Sequence, residues 1–188
     1  MIIRERYRFH ETAIKIFFSE LFNDTIYEVM MEDQRLRAKF AIDFGKYQLP
    51  DAFKYSRRNS KLDKALDYAI TNGLTLGLHD FYCSDRFLYF RYGMPQLREV
   101  YIDLTTDKAL SFDRSVTQNF LLIGDVVAMD QEHLVKVMSS ELVDNMLKTY
   151  FNTSDSLEFR SKHKTFYELA KDVQTGSNGL ITFLTLTL

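Results

Sequence analysis

The chain has 188 residues, 46% of them apolar and 27% charged, which fits one ordinary domain with a sizeable core and excludes wholesale disorder. A net charge of −2 with scattered lysines and arginines excludes an electrostatic case for nucleic acid or an acidic membrane, and the densest basic run, "YSRRNSK" at 55–61, reads as a solvated loop. The single cysteine, Cys83, excludes an internal disulfide and a multi-cysteine zinc site; its apolar strand context marks a small buried thiol rather than a nucleophile.

From the N-terminus, "MIIRERYRFHETAIKIFF" has charges interrupting every apolar run and no cleavage-site pattern, so it does not read as a signal peptide. No apolar stretch approaches bilayer-spanning length, and the chain as given is expected in the cytoplasm. "IKIFFSE" at 14–20 is a strand candidate leading into "TIYEVMM", which is apolar on both faces. Glu32-Asp33-Gln34 supplies a polar turn. "RAKFAIDF" then places Ala38, Phe40, Ile42 and Phe44 on one face and Arg37, Lys39 and Asp43 on the other, a half-buried strand that completes a hairpin.

The segment "SKLDKALDYAITNG" carries Leu62, Ala65, Leu66 and Ala69 at helical spacing, with Asn72-Gly73 as a stop. Four strand candidates follow: "LHDFYCS" (78–84), "RFLYFRY" (86–92), "REVYIDL" (98–104) and "ALSFDR" (109–114). Their connections, Ser84-Asp85, Gly93 to Gln96 and Thr105 to Lys108, are short, which makes antiparallel neighbours the natural arrangement and the set a four-stranded meander. A third set comprises "NFLLIG" (119–124), "VVAMD" (126–130) and "HLVKVM" (133–138), with "LITFLTLTL" (180–188) closing the chain. Between them lie two amphipathic helices. "SSELVDNMLKTYF" puts Leu142, Val143, Met146, Leu147 and Tyr150 on one stripe behind capping serines. "TFYELAKDV" offers a Thr165–Glu168 capping box with Phe166, Leu169, Ala170 and Val173 inward.

Small antiparallel sheets, apolar on both faces and recurring about every 45–60 residues, fit blades stacked radially, because each blade of a β-propeller is covered on both sides. A two-sheet sandwich is the rival, but its outer faces should be polar along every strand. The expected fold is mainly β: one partial propeller domain over 1–188 with about three four-stranded antiparallel blades near 10–50, 76–116 and 117–188. Helical insertions are expected at about 60–72, 139–151 and 164–173.

"FNDTIYEVMMEDQRLRAKFAIDFGKYQLP" closely resembles the signature of a six-bladed, TolB-like β-propeller family of Bacteroidetes whose members are mostly uncharacterised. The likeness rests on Asp24-Thr25-Ile26-Tyr27, Asp43-Phe44-Gly45-Lys46 and Leu49-Pro50, with "SDRFLYFRY" and "REVYIDLTTDKAL" similar to the next blade. It covers roughly 14–188 and corresponds to the C-terminal half of such a propeller. Relatives carry about six blades and usually an export or lipoprotein signal, so the resemblance implies export to the cell envelope. It also implies two open blade faces, so the chain is expected to self-associate through them, to distort to cover them, or to aggregate.

No catalytic motif stands out. His10, His79, His133 and His163 have no ligand-type neighbours at metal spacing, so neither a metal nor another cofactor is expected. Asp103 to Asp107 reads as a hairpin turn rather than a cation loop. The polar cluster "LHDFYCSDR" supplies the candidate ligand-binding residues His79, Asp80 and Arg86, with Tyr82 beside them. On a blade's first strand, His79 and Asp80 would face the propeller channel as binding groups or an acid/base pair; structural hydrogen bonding at a strand start is the plainer reading. Arg86 and Arg91 flank aromatics and could stack on them or bind an anion; surface exposure is the plainer reading. The resulting expectation is a non-enzymatic module binding a protein or carbohydrate. The alternatives are a glycan- or ester-processing enzyme at the channel mouth and an inactive truncated fragment.

Overall fold

A computed structural model describes residues 7–12, 15–54, 59–93, 97–113, 124–130, 132–151, 156–175 and 179–185. The described residues are mainly β, with eleven strands in three antiparallel sheets of four, four and three strands, and few helices. The chain divides into two compact units, one running to residue 115 and one over 116–187. No helix among the described residues is long and apolar enough to cross a membrane.

The first unit opens with β1 (Tyr7–Glu11), β2 (Ile16–Glu20), β3 (Thr25–Met30) and β4 (Arg35–Ala41), paired in that order. Sequence reading placed the start of this blade at residue 10 and did not find β1, which pairs with β2 over its whole length. The hairpin β3–β4 forms as expected, but its face pattern does not. A bulge between Ile26 and Tyr27 pairs Phe40 with Ile26 and Ala38 with Tyr27. One extra residue re-aims everything on one side of it. Phe40 therefore packs on the core, whereas Ala38 is exposed beside Leu36.

After β4 the motif residues build a staple rather than a surface. The Asp43 carboxylate accepts from the Gly45 amide at 2.7 Å, and Gly45 takes the left-handed backbone (φ 57°) that a glycine adopts freely. Asp24 accepts from Gln48 Nε2 at 2.9 Å, and Asn23 Oδ1 accepts from the Thr25 amide at 3.0 Å. Phe44 and Leu49 are buried beside them. Gly77 lies so close that a Cβ there would stand 2.7 Å from the Asn23 carbonyl oxygen.

Two helices lead onward, α1 (Asp51–Lys54), which the sequence reading did not include, and α2 (Asn59–Asn72). Ala65 and Ala69 of α2 are fully buried with Phe22, Leu49 and Leu76; the Leu62 side chain, with 55–58 of the basic run, lies outside the described residues. The predicted stop is a Schellman turn: the Leu74 amide donates to Ala69 O at 2.8 Å and the Gly73 amide to Ile70 O at 3.3 Å, with Gly73 at φ 64°.

The second sheet follows expectation closely, with β5 (Leu78–Cys83), β6 (Phe87–Tyr92), β7 (Arg98–Asp103) and β8 (Lys108–Asp113) in chain order. Residues 94–96 of the expected β6–β7 connection lie outside the described residues. Phe81, Cys83, Leu88, Phe90 and Val100 on one face pack against Phe17, Ile26 and Phe44, so the two sheets of this unit share one core. The opposite face of β6 is equally closed: Phe87 is 1% exposed and Tyr89 0%. This is the two-sided burial that the run "RFLYFRY" implies.

The second unit contains β9 (Asp125–Met129), β10 (His133–Met138) and β11 (Leu180–Thr185), ordered β11-β10-β9. The expected strand at 119–124 and the last three residues of 180–188 fall outside the described residues, apart from Gly124. Between β10 and β11 run α3 (Ser140–Met146), α4 (Ser156–Lys162) and α5 (Lys164–Thr175), α4 being absent from the sequence reading. Ser139 caps α3 by accepting from the Leu142 amide at 3.2 Å. Beyond Met146 the helix widens into a π turn over Leu147–Phe151, which shifts its phase. Phe151 is therefore fully buried and Tyr150, expected inward, is 45% exposed. The Thr165–Glu168 box also fails to form. Helix α5 already begins at Lys164, the Tyr167 amide donates to His163 O, and Leu169 faces outward while Phe166 and Ala170 are buried.

Candidate functional site

A row of charged and tyrosine side chains lies on the second sheet, on the face opposite the shared core. Period-two alternation and antiparallel register set it. Asp80 of β5 stands opposite Arg91 of β6, and Arg91 opposite Glu99 of β7. Two residues along, Tyr82, Tyr89 and Tyr101 form a parallel row, with Tyr89 and Tyr101 rings 5.0 Å apart. Phe112 of β8 stacks on Tyr101 at 5.6 Å.

Burial grades across this face. The Asp80 side chain is 36% exposed, that of Arg91 15%, and Glu99 is closed to solvent. Asp80 and Arg91 form a close ion pair. The Tyr101 hydroxyl donates to Glu99 Oε2 at 2.6 Å. Burial drives the Tyr101 phenol far above its ordinary value, and the charge and hydrogen bond of Glu99 add to that; it stays a protonated donor across the working pH range. Asp80 and Glu99 are two strands apart, about 9.6 Å by sheet spacing. Arg91 stands between them in register, so they do not flank an open cleft as a glycosidase pair would.

The residues singled out from sequence are dispersed. His79 is the extra residue of a bulge between Leu78 and Asp80, half-buried, with Nε2 3.2 Å from Gly93 O. Arg86 is at the other end of β6. Its guanidinium lies 4.6 Å over the Phe87 ring and 3.4 Å from Asp103 Oδ2. Asp103 is buried and accepts from the Thr105 hydroxyl at 2.6 Å and amide at 2.9 Å. The Thr105 hydroxyl and amide, with Arg86, hold its carboxyl below the usual range, and the segment is the hairpin turn expected from sequence. Tyr82 meets His10, whose ring lies 5.0 Å away and whose Nε2 is 3.1 Å from Cys83 O. Burial lowers the His10 pKa and pushes the Cys83 thiol up to about 12. Arg91, read from sequence as a surface residue, is instead mostly buried within the row.

Sequence reasoning missed Glu99 and the tyrosine row. The available signal was "REVYID", where Glu99 shares a period-two face with Tyr101 and Asp103 inside an apolar run. A concavity of about 160 Å³ including its open mouth is lined by Phe22, Asn23, Asp24, Gln48, Thr75 and Gly77 among others. That is well below the size of ordinary small-molecule sites. The described residues contain no group of three His, Cys, Asp or Glu side chains able to hold a metal ion.

No protein-family profile matches the chain, and no curated protein matches it in sequence. Its fold is similar to the crystal structure of a candidate exported protein of Bacteroides fragilis, with a TM-score of 0.67 and 14% identity. The match covers 96% of this chain and 49% of the other, so the chain spans about half the length of the structure it resembles.

Proposed function

We propose that the chain is a partial β-propeller of the six-bladed, TolB-like kind, acting in the cell envelope as a non-catalytic module that binds a protein or carbohydrate. The three antiparallel meanders, two of them packed face to face, support the blade reading. So does the fold likeness to a protein twice as long, and that protein's description supports the envelope assignment. One observation carries the non-catalytic reading. Each candidate acid or base on the second sheet is engaged by a structural neighbour: His79 by the Gly93 carbonyl, Asp80 by Arg91, Glu99 by Tyr101, Asp103 by Arg86 and Thr105. A general acid or base needs a free path to substrate, and these groups are spent on the sheet.

The test pairs calorimetric titration of the chain against a panel of envelope oligosaccharides with hydrolysis assays on chromogenic glycosides and esters. Saturable binding without turnover is expected. Turnover that disappears in Asp80→Asn or Glu99→Gln would establish the enzyme instead, and neither binding nor turnover would favour an inactive fragment.

A further inference from the structure

Among the described residues β1 lies at the edge of the first sheet, and the side chain of His10 reaches from it to the second sheet of the same unit. His10 stands opposite Phe17, on the face turned to the shared core. Its ring stacks on that of Phe17 at 6.3 Å and meets Phe81 at 6.4 Å and Tyr82 at 5.0 Å, both edge to face. Nε2 lies 3.1 Å from the Cys83 carbonyl oxygen on β5, so it carries the proton and donates from one sheet to the other.

We propose that His10 is a pH-sensitive latch: the neutral imidazole holds β1 against the second sheet, and its protonation releases β1 and opens the β2 edge. An imidazolium brings a second N–H donor and a charge into a cage of three aromatic rings and one carbonyl. On β5 the titratable neighbours are the Tyr82 phenol and the Cys83 thiol, and burial keeps that thiol protonated. The charges acting on that end of β5 are Lys15, Lys39, Asp85 and Glu28, two of each sign. Both carboxylates are already committed to cations, Asp85 to Lys15 at 2.7 Å and Glu28 to Arg37. Glu11, next to His10 on β1, stands opposite Ile16 on the other face. Burial accordingly lowers the His10 pKa, so the latch stabilises the contact above the ordinary histidine value and loses that stabilisation as pH falls through the folded one. Strand β1 has five residues and pairs only with β2, the kind of edge element that opens locally at small cost. Its release leaves the backbone groups of β2 free to accept another strand.

The experiment is amide hydrogen exchange between about pH 8 and about pH 5, corrected for the intrinsic rate, on the wild type and His10→Gln, with circular dichroism to verify folding. In the wild type, protection of the β1 and β2 amides is expected to fall about twofold or more relative to those of β6 as pH drops. The glutamine variant offers the Cys83 carbonyl a donor that does not titrate, and its relative protection is expected to stay flat. A flat wild type, or an equal fall in the variant, overturns the proposal. If the variant fails to fold, the His10 ring is titrated by nuclear magnetic resonance in the wild type. A midpoint below the ordinary histidine value that coincides with the loss of β1 protection supports the latch, and a midpoint at or above that value, or one unconnected with the loss, overturns it.

Discussion

A carboxylate closed to water is costly unless it is hydrogen-bonded, and Oε2 of Glu99 meets that requirement through the Tyr101 hydroxyl. Asp103 meets it through Thr105 and Arg86 and is held below the usual carboxylate range as a result. A group whose folded pKa is depressed contributes stability above its unfolded value, about 4, and loses it as pH falls through the folded value. Asp103→Asn is therefore expected to be less stable than the wild type at neutral pH, with the gap shrinking below about pH 4. Urea midpoints measured across pH 2–7 check this; a gap that holds constant or widens in acid would contradict it. Such roles were only half legible in the sequence. Asp103 stood out as a turn residue from its Asp-Leu-Thr-Thr spacing, because Asx turns are local. Glu99 did not, because its partner and its burial depend on which strand lies alongside.

Among the elements, local chemistry was readable and phase was not. The strands of the second sheet emerged within a residue or two, since short polar connections and β-branched or aromatic runs dictate a meander. The end of α2 was equally plain, because Asn72-Gly73 supplies the left-handed residue a Schellman turn requires. What misled was a single residue inserted into a repeat. The bulge opposite Ile26 moved Ala38 to the surface, and the π turn exchanged Tyr150 for Phe151. Neither insertion has a local sequence signal. The Thr165 box failed for a different reason: α4 ends at Lys162 and α5 starts at Lys164, so Thr165 lies inside a helix already begun. Ser139 is the cap that does form, and Ser139→Ala is expected to cost about 1 kcal/mol. Chemical denaturation followed by far-ultraviolet dichroism measures it, and a neutral substitution would mean that the cap adds nothing.

For the molecule as a whole, each unit has its own core, and the sheets are small. The closure of β6 on both faces is the part that the run "RFLYFRY" already implied. The candidate site was less accessible from sequence. His79, Asp80 and Arg86 are close in the chain, but a bulge and the length of a strand separate their side chains. The structure gathers Asp80 with Arg91 and Glu99 from three strands instead. The central claim is that this charged row holds the sheet together rather than acting on a substrate. Residues retained for function are commonly neutral or stabilising when replaced, whereas structural ones are not. The most direct measurement is the urea unfolding free energy of Glu99→Gln against wild type at neutral pH. A loss of about 1–3 kcal/mol is expected, from disturbing a buried hydrogen bond to a charged group; unchanged or increased stability would contradict the account.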